Sequence, residues 1–155
     1  MDIAGTANVS VGANLDTWWD DGAQFSITGG DAKIEVTQTF YLGTATTMTA
    51  NINSNKFSTV RVLGNVNIPG GNGTLNVNFV DGYVPTIGTS WVLFDTPARG
   101  GEIPIVNLPD MGTGTLLAVN YSPGGNQGQV ITLDLTNTLN LKVNTVNGAA
   151  EIQRD

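Results

Sequence analysis

At 155 residues the chain is long enough to bury one hydrophobic core, and its 40% apolar content fits a globular protein. It has neither cysteine nor histidine, which rules out disulfides, Cys/His zinc sites, thiolate or imidazole catalysis, haem held through histidine and CxxC redox chemistry. A formal net charge of −7, with 13 acidic and 6 scattered basic residues, makes it a poor ligand for nucleic-acid phosphates and for anionic membrane surfaces.

In chain order, residues 7–11 read as a short strand with Val9 and Val11 inward. Residues 15–22 read as a loop, 24–28 as a strand carrying Phe25 and Ile27, and 32–42 as a long strand with Ile34, Val36, Phe40 and Leu42 inward. A threonine-rich strand follows at 46–52. From 57 to 91 the alternation is clearest. Val60, Val62, Val66 and Ile68 share one parity, opposite Arg61, Asn65 and Asn67, with Gly64 as a break. Pro69-Gly70-Gly71-Asn72-Gly73 stops that segment, and Leu75, Val77 and Phe79 restart the pattern. Asp81-Gly82 closes it, and Trp91 opens a strand at 90–95. Residues 96–101 read as a loop, 103–106 as a short edge strand suited by Pro104, and 115–121 as a strand with Leu117, Val119 and Tyr121 on one face. Pro123-Gly124-Gly125-Asn126 is a turn signal. Strands follow at 130–135 and 138–144, and Asn147-Gly148 is a hairpin signal that returns Ala150 and Ile152 as a last strand. Charged residues are 12% of the chain, about half the usual quarter, with Gly, Asn and Thr in their place. No segment has helical periodicity, and no apolar run is long enough for a transmembrane helix, so no membrane insertion is expected.

This gives about twelve strands and an all-β protein. The short, glycine-punctuated first part, 1–68, suggests the rungs of a parallel β-helix, and the longer strands of 69–155 suggest an antiparallel sheet that caps it. A jelly-roll-like β-sandwich is the alternative.

The stretch 73–91, GTLNVNFVDGYVPTIGTSW, is followed by Leu108-Pro109-Asp110-Met111-Gly112, Val119-Asn120-Tyr121, Leu139-Asn140-Leu141-Lys142-Val143-Asn144 and Gly148-Ala149. In that order these pieces resemble the C-terminal β-helix and capping region of repeat-rich secreted bacterial surface proteins of adhesin or autotransporter type. Many of those proteins carry a G-x-F element before the L-P segment, where this chain has Gly101-Glu102-Ile103-Pro104. The resemblance implies a non-catalytic structural or adhesive module, extracellular at a cell surface, whose partners are itself or other surface proteins. The start, Met1-Asp2-Ile3-Ala4, does not read as a signal peptide, and the resemblance implies that the chain is a piece of a longer protein.

Three groups of residues are candidates for function. Asp16, Asp20 and Asp21 surround Trp18-Trp19 and could hold Ca²⁺, although their spacing matches no known calcium loop and a solvated acidic turn is the plainer reading; no cofactor is expected. Trp18, Trp19 and Tyr83 could stack on sugar rings, which makes a polysaccharide-binding module the alternative function. An open rung near Ile3, Val9 and Val11 has no charge between Asp2 and Asp16 to guard its edge, so self-association, including fibre growth, is expected there. Asn51, Asn53, Asn55 and the pairs Asn65/Asn67 and Asn76/Asn78 could form amide ladders between stacked strands or simply line polar faces. Asp81, Asp95, Glu102, Asp110 and Asp134 are the carboxylates available to a polysaccharide hydrolase, the second alternative, but none has a recognisable catalytic spacing.

Overall fold

The structure is a computed structural model that describes residues 1–16, 22–122, 129–138, 141–146 and 149–154. The described residues are all-β and contain no helix. Strands β1 (Asp2–Ala4), β4 (Gln24–Thr28), β7 (Thr47–Ile52), β10 (Thr74–Phe79) and β13 (Ile105–Asn107) form a first sheet in that order, parallel throughout. The second sheet contains β2 (Asn8–Val11), β5 (Lys33–Val36), β8 (Val60–Val62) and β11 (Ser90–Thr96) in parallel. It then continues antiparallel through β15 (Gln129–Asn137) and β14 (Thr115–Tyr121). The third sheet is β3 (Leu15–Asp16), β6 (Thr39–Tyr41), β9 (Asn65–Asn67) and β12 (Ala98–Gly100), again parallel. A separate antiparallel hairpin joins β16 (Leu141–Val146) to β17 (Ala149–Arg154).

From β1 to β10, each strand pairs in parallel with the strand three places further along the chain. The chain therefore visits the three sheets in rotation, and their inward side chains share one core. Phe25 of the first sheet, Phe40 of the third and Phe94 of the second meet ring to ring, with centroids 5.7 and 5.2 Å apart. Phe40 and Phe94 are fully buried. Parallel pairing continues past residue 68 as far as β13, and antiparallel pairing begins where β15 joins β11.

The 32–42 segment, expected as one strand, and the 60–68 alternation, expected with a break at Gly64, are each bent into two strands that belong to different sheets. The corners stack. Leu63 and Asn65 donate backbone hydrogen bonds to the carbonyls of Val36 and Gln38. A Cβ on Gly64 would lie 2.2 Å from the Gln38 carbonyl oxygen, so the expected strand break is the close approach of two corners. The next corner is held by Thr96, 1% exposed, whose hydroxyl donates to the carbonyl oxygens of Ala98 (2.8 Å) and Gly64 (3.3 Å). Beyond it the expected 96–101 loop contains β12. Gly101 then turns the chain with φ +86°, where a Cβ would lie 2.0 Å from the Ile68 carbonyl oxygen, so only glycine fits.

Toward the C-terminal end the second sheet continues through the antiparallel strands, whose Leu117, Ile131, Leu133 and Leu135 join the core. Arg99 occupies the row that Val66 fills one strand earlier, and its guanidinium lies 4.7 Å from the centroid of the Tyr121 ring on β14. The Tyr121 hydroxyl accepts a hydrogen bond from the Ile103 amide at 3.0 Å. Burial pushes the Tyr121 phenol above its ordinary value, so it stays neutral. The turn signals at 123–126 and 147–148 lie outside the described residues; the strands that flank them pair antiparallel.

Candidate functional site

The outward face of the first sheet is built from regular rows of side chains. Strict alternation sends Ile27, Met48, Ala50, Leu75 and Val77 into the core and every second residue outward. Because the pairing is in register, the outward residues line up in rows. One row runs Asp2, Ser26, Thr49, Asn76, Asn107 across five strands. A second runs Ala4, Thr28, Asn51, Asn78.

Side-chain hydrogen bonds tie these rows together. The Ser26 hydroxyl donates to the Asp2 carboxylate at 2.6 Å, and the Asn107 amide donates to the Asn76 carbonyl at 2.8 Å. In the other row, Asn78 donates to Asn51 and Asn51 donates to the Thr28 hydroxyl, both at 3.1 Å. The expected amide ladder therefore exists at Asn51, Asn76 and Asn78. Asn53 instead reaches Asp81 at 3.3 Å, and Asn65 and Asn67 lie on the third sheet. Asn107 joins the ladder without a clear sequence signal, since it stands in a three-residue strand after Pro104.

Beside β10 and β13 the face sinks into a groove of about 310 Å³. Thr49, Asn76, Asn78 and Asn107 give it a polar lining, and Leu108 and Pro109 an apolar wall.

Of the candidate aromatics, Tyr83 is half-buried, and its ring meets Phe79 and Trp91 at 64° and 85°. It is edge-on to its neighbours and forms no flat platform with them. Trp18 and Trp19 lie outside the described residues, as do Asp20 and Asp21. Asp16 is exposed at the end of β3. Ile3 is buried, 3% exposed, while Val9 and Val11 are half-buried and pack against the core.

The candidate carboxylates stand apart, and three of them have local structural partners. Asp81 has φ +55° beside Gly82 at +72°, and Tyr83 N–H donates to the Val80 carbonyl at 3.0 Å, which makes a tight two-residue turn. Asp110 accepts the Gly112 amide at 2.8 Å. Asp134 lies between β11 and β14. Burial pushes its carboxyl up, but hydrogen bonds from Ser90, Asn120 and Thr132 together outweigh burial and hold it below its ordinary value. Among the described residues, no three Asp or Glu side chains cluster as metal ligands would. No helix among them is long and apolar enough to cross a membrane. No protein-family model, no curated protein and no solved structure matches the chain.

Proposed function

We propose that the chain is a non-catalytic structural and adhesive module of a secreted bacterial surface protein, built as a short parallel β-helix closed at one end by an antiparallel sheet. The observation that carries this reading is the parallel pairing of strands three places apart, with one core filled by all three sheets. A coil of this kind has two ends, each of which leaves backbone N–H and C=O groups unpaired unless something covers it. At the C-terminal end, β15 and β14 extend the second sheet and Tyr121 lies over Arg99. The motif order from Gly73 to Ala149 supports placing the module at a bacterial cell surface.

The N-terminal end is different. β1, β2 and β3 are the edges of their three sheets among the described residues, and all three lie on the same side. Asp2 and Asp16 are the only charged side chains on these strands. With Ile3 buried, what β1 offers a partner is its backbone edge. The far end is stepped, because the second sheet runs two strands beyond β11 while the third stops at β12. Head-to-tail growth would have to match these three edges to the stepped far end, so a second copy docks head to head on them and closes a dimer, rather than growing a fibre. Static light scattering on this chain is expected to show a dimer that becomes monomeric in a Thr6→Lys/Ser10→Lys variant, both positions being exposed. A parent that stays monomeric at high concentration would overturn the docking, and fibres would overturn its symmetry.

A further inference from the structure

We propose that the groove on the outward face of the first sheet, beside β10 and β13, binds a neutral polysaccharide. This goes beyond the structural role above and stands independently of it, since β10 and β13 lie at the opposite side of the first sheet from the β1 edge.

Charge favours a neutral ligand. Of the two rows, Asp2 is the one acidic residue, and it sits at the far edge from the groove. The chain carries −7, so a polyanion is repelled, and the groove has no acidic side chain to hold a polycation. The rows also lack the aromatic and aliphatic anchors that a protein partner would need. What remains is a dense set of neutral donors and acceptors, which matches a ligand made of hydroxyl groups.

The amides are also ordered before any ligand binds. An unbound asparagine amide has many orientations, and fixing it on binding costs rotamer entropy. Here Asn76, Asn78 and Asn107 are already oriented by the ladder. An amide has two donor hydrogens and two acceptor lone pairs, and the ladder uses only one of these four at each of the three residues. The others remain for a ligand.

The shape of the groove suits a sugar as well. Polar groups on the floor and Leu108 and Pro109 on one wall suit a sugar ring, whose edge is polar and whose face is apolar. The volume of about 310 Å³ lies at the lower end of the range for small-ligand sites, roughly 300–1,000 Å³. The row of outward side chains continues from the groove across two further strands, β4 and β1, about 10 Å at the usual spacing, so a sugar chain can extend beyond it.

The test is affinity electrophoresis of the full chain through gels that contain hydroxyethyl cellulose, xyloglucan, galactomannan or, as the polyanion control, polygalacturonate. At least one neutral polymer is expected to retard the protein, with polygalacturonate inert. An Asn76→Ala/Asn107→Ala variant is expected to lose at least tenfold in affinity. Leu108→Asp, which leaves the amide ladder intact and charges the apolar wall, is expected to do the same. Circular dichroism and melting of each variant establish that it is folded. Absence of retardation in every neutral polymer overturns the proposal. So does equal retardation by polygalacturonate, or full retention of affinity in the folded variants, which would place binding elsewhere, as at Trp18 and Trp19. Light scattering on the same samples reports self-association separately, so failure of one reading leaves the other intact.

Discussion

Replacing Trp91 by alanine is expected to remove about 3–5 kcal/mol of stability, the range for truncating a buried large aromatic. Trp91 is 1% exposed at the start of β11. Its ring meets Phe79 at 5.6 Å and Tyr83 at 6.5 Å, and its indole N–H donates to the Ser54 carbonyl at 3.1 Å. This position matters because of how the chain is connected. From β1 to β11 the links from the first sheet to the second are 5–7, 29–32, 53–59 and 80–89, so they lengthen along the chain. The last two need packing beneath them, and Trp91 supplies it: its ring meets Tyr83 of one loop and its N–H holds Ser54 of the other. The alanine variant loses apolar burial, leaves a cavity and frees the Ser54 carbonyl. At about 2–4 °C per kcal/mol for a chain of this size, the melting temperature should fall by on the order of 10 °C. Trp91→Phe keeps much of the ring and should lose clearly less. A loss below about 1 kcal/mol in the alanine variant, within the range of ordinary substitutions, would show that the ring is not packed as described.

Phe40→Ala is the second large expected effect, again about 3–5 kcal/mol. Phe40 is fully buried on β6 and contacts the rings of Phe25 and Phe94. These three rings come one from each sheet, so the cavity left by the alanine opens at the point where all three meet. Neighbouring side chains belong to separate sheets and can relax only if the sheets move together, which places the cost at the upper part of the range. Urea denaturation should show a lower midpoint with an unchanged slope, the mark of lost stability without a change in the surface exposed. A midpoint that hardly moves would mean that the sheets do not share a core at Phe40.

The inward parity of most strands was legible in the sequence. Ile34, Val36, Phe40, Leu42, Val60, Val62, Val66, Ile68, Leu75 and Val77 are all buried as the alternation required. The bends were not, and the reason is geometric. Two residues separate β5 from β6, and two separate β8 from β9, so the period of two runs through each corner unbroken. A strand that turns into another sheet then looks like one longer strand. β12 escaped for the opposite reason: Arg99 takes an inward position, and with it the apolar signal vanishes. Stacked rungs were expected over 1–68, but their register was hidden because the steps within the first sheet are unequal. The side chains bonded across successive strands are 24, 23, 27 and 31 residues apart, so no fixed repeat can be read from the sequence. For the same reason the outward asparagines were visible as residues, but their partners were not. Ser26, Thr28, Thr49 and Asn107 become part of one surface only through register.

The parallel pairing of strands three places apart is the claim on which the fold and the proposed function both rest, and a cysteine cross-link tests it directly because the natural chain has no cysteine. Ser26 and Thr49 are register partners on β4 and β7 and both point outward. Their Cα atoms should lie about 4.8 Å apart, within the roughly 4.4–6.8 Å that a disulfide spans. Ser26 and Asn107 lie in the same row but are separated by β7 and β10, at about 14 Å. After mild oxidation of the monomer, mass spectrometry should find an intrachain disulfide in Ser26→Cys/Thr49→Cys and free thiols in Ser26→Cys/Asn107→Cys. Free thiols in the first variant, or a disulfide formed equally well in the second, would contradict the pairing.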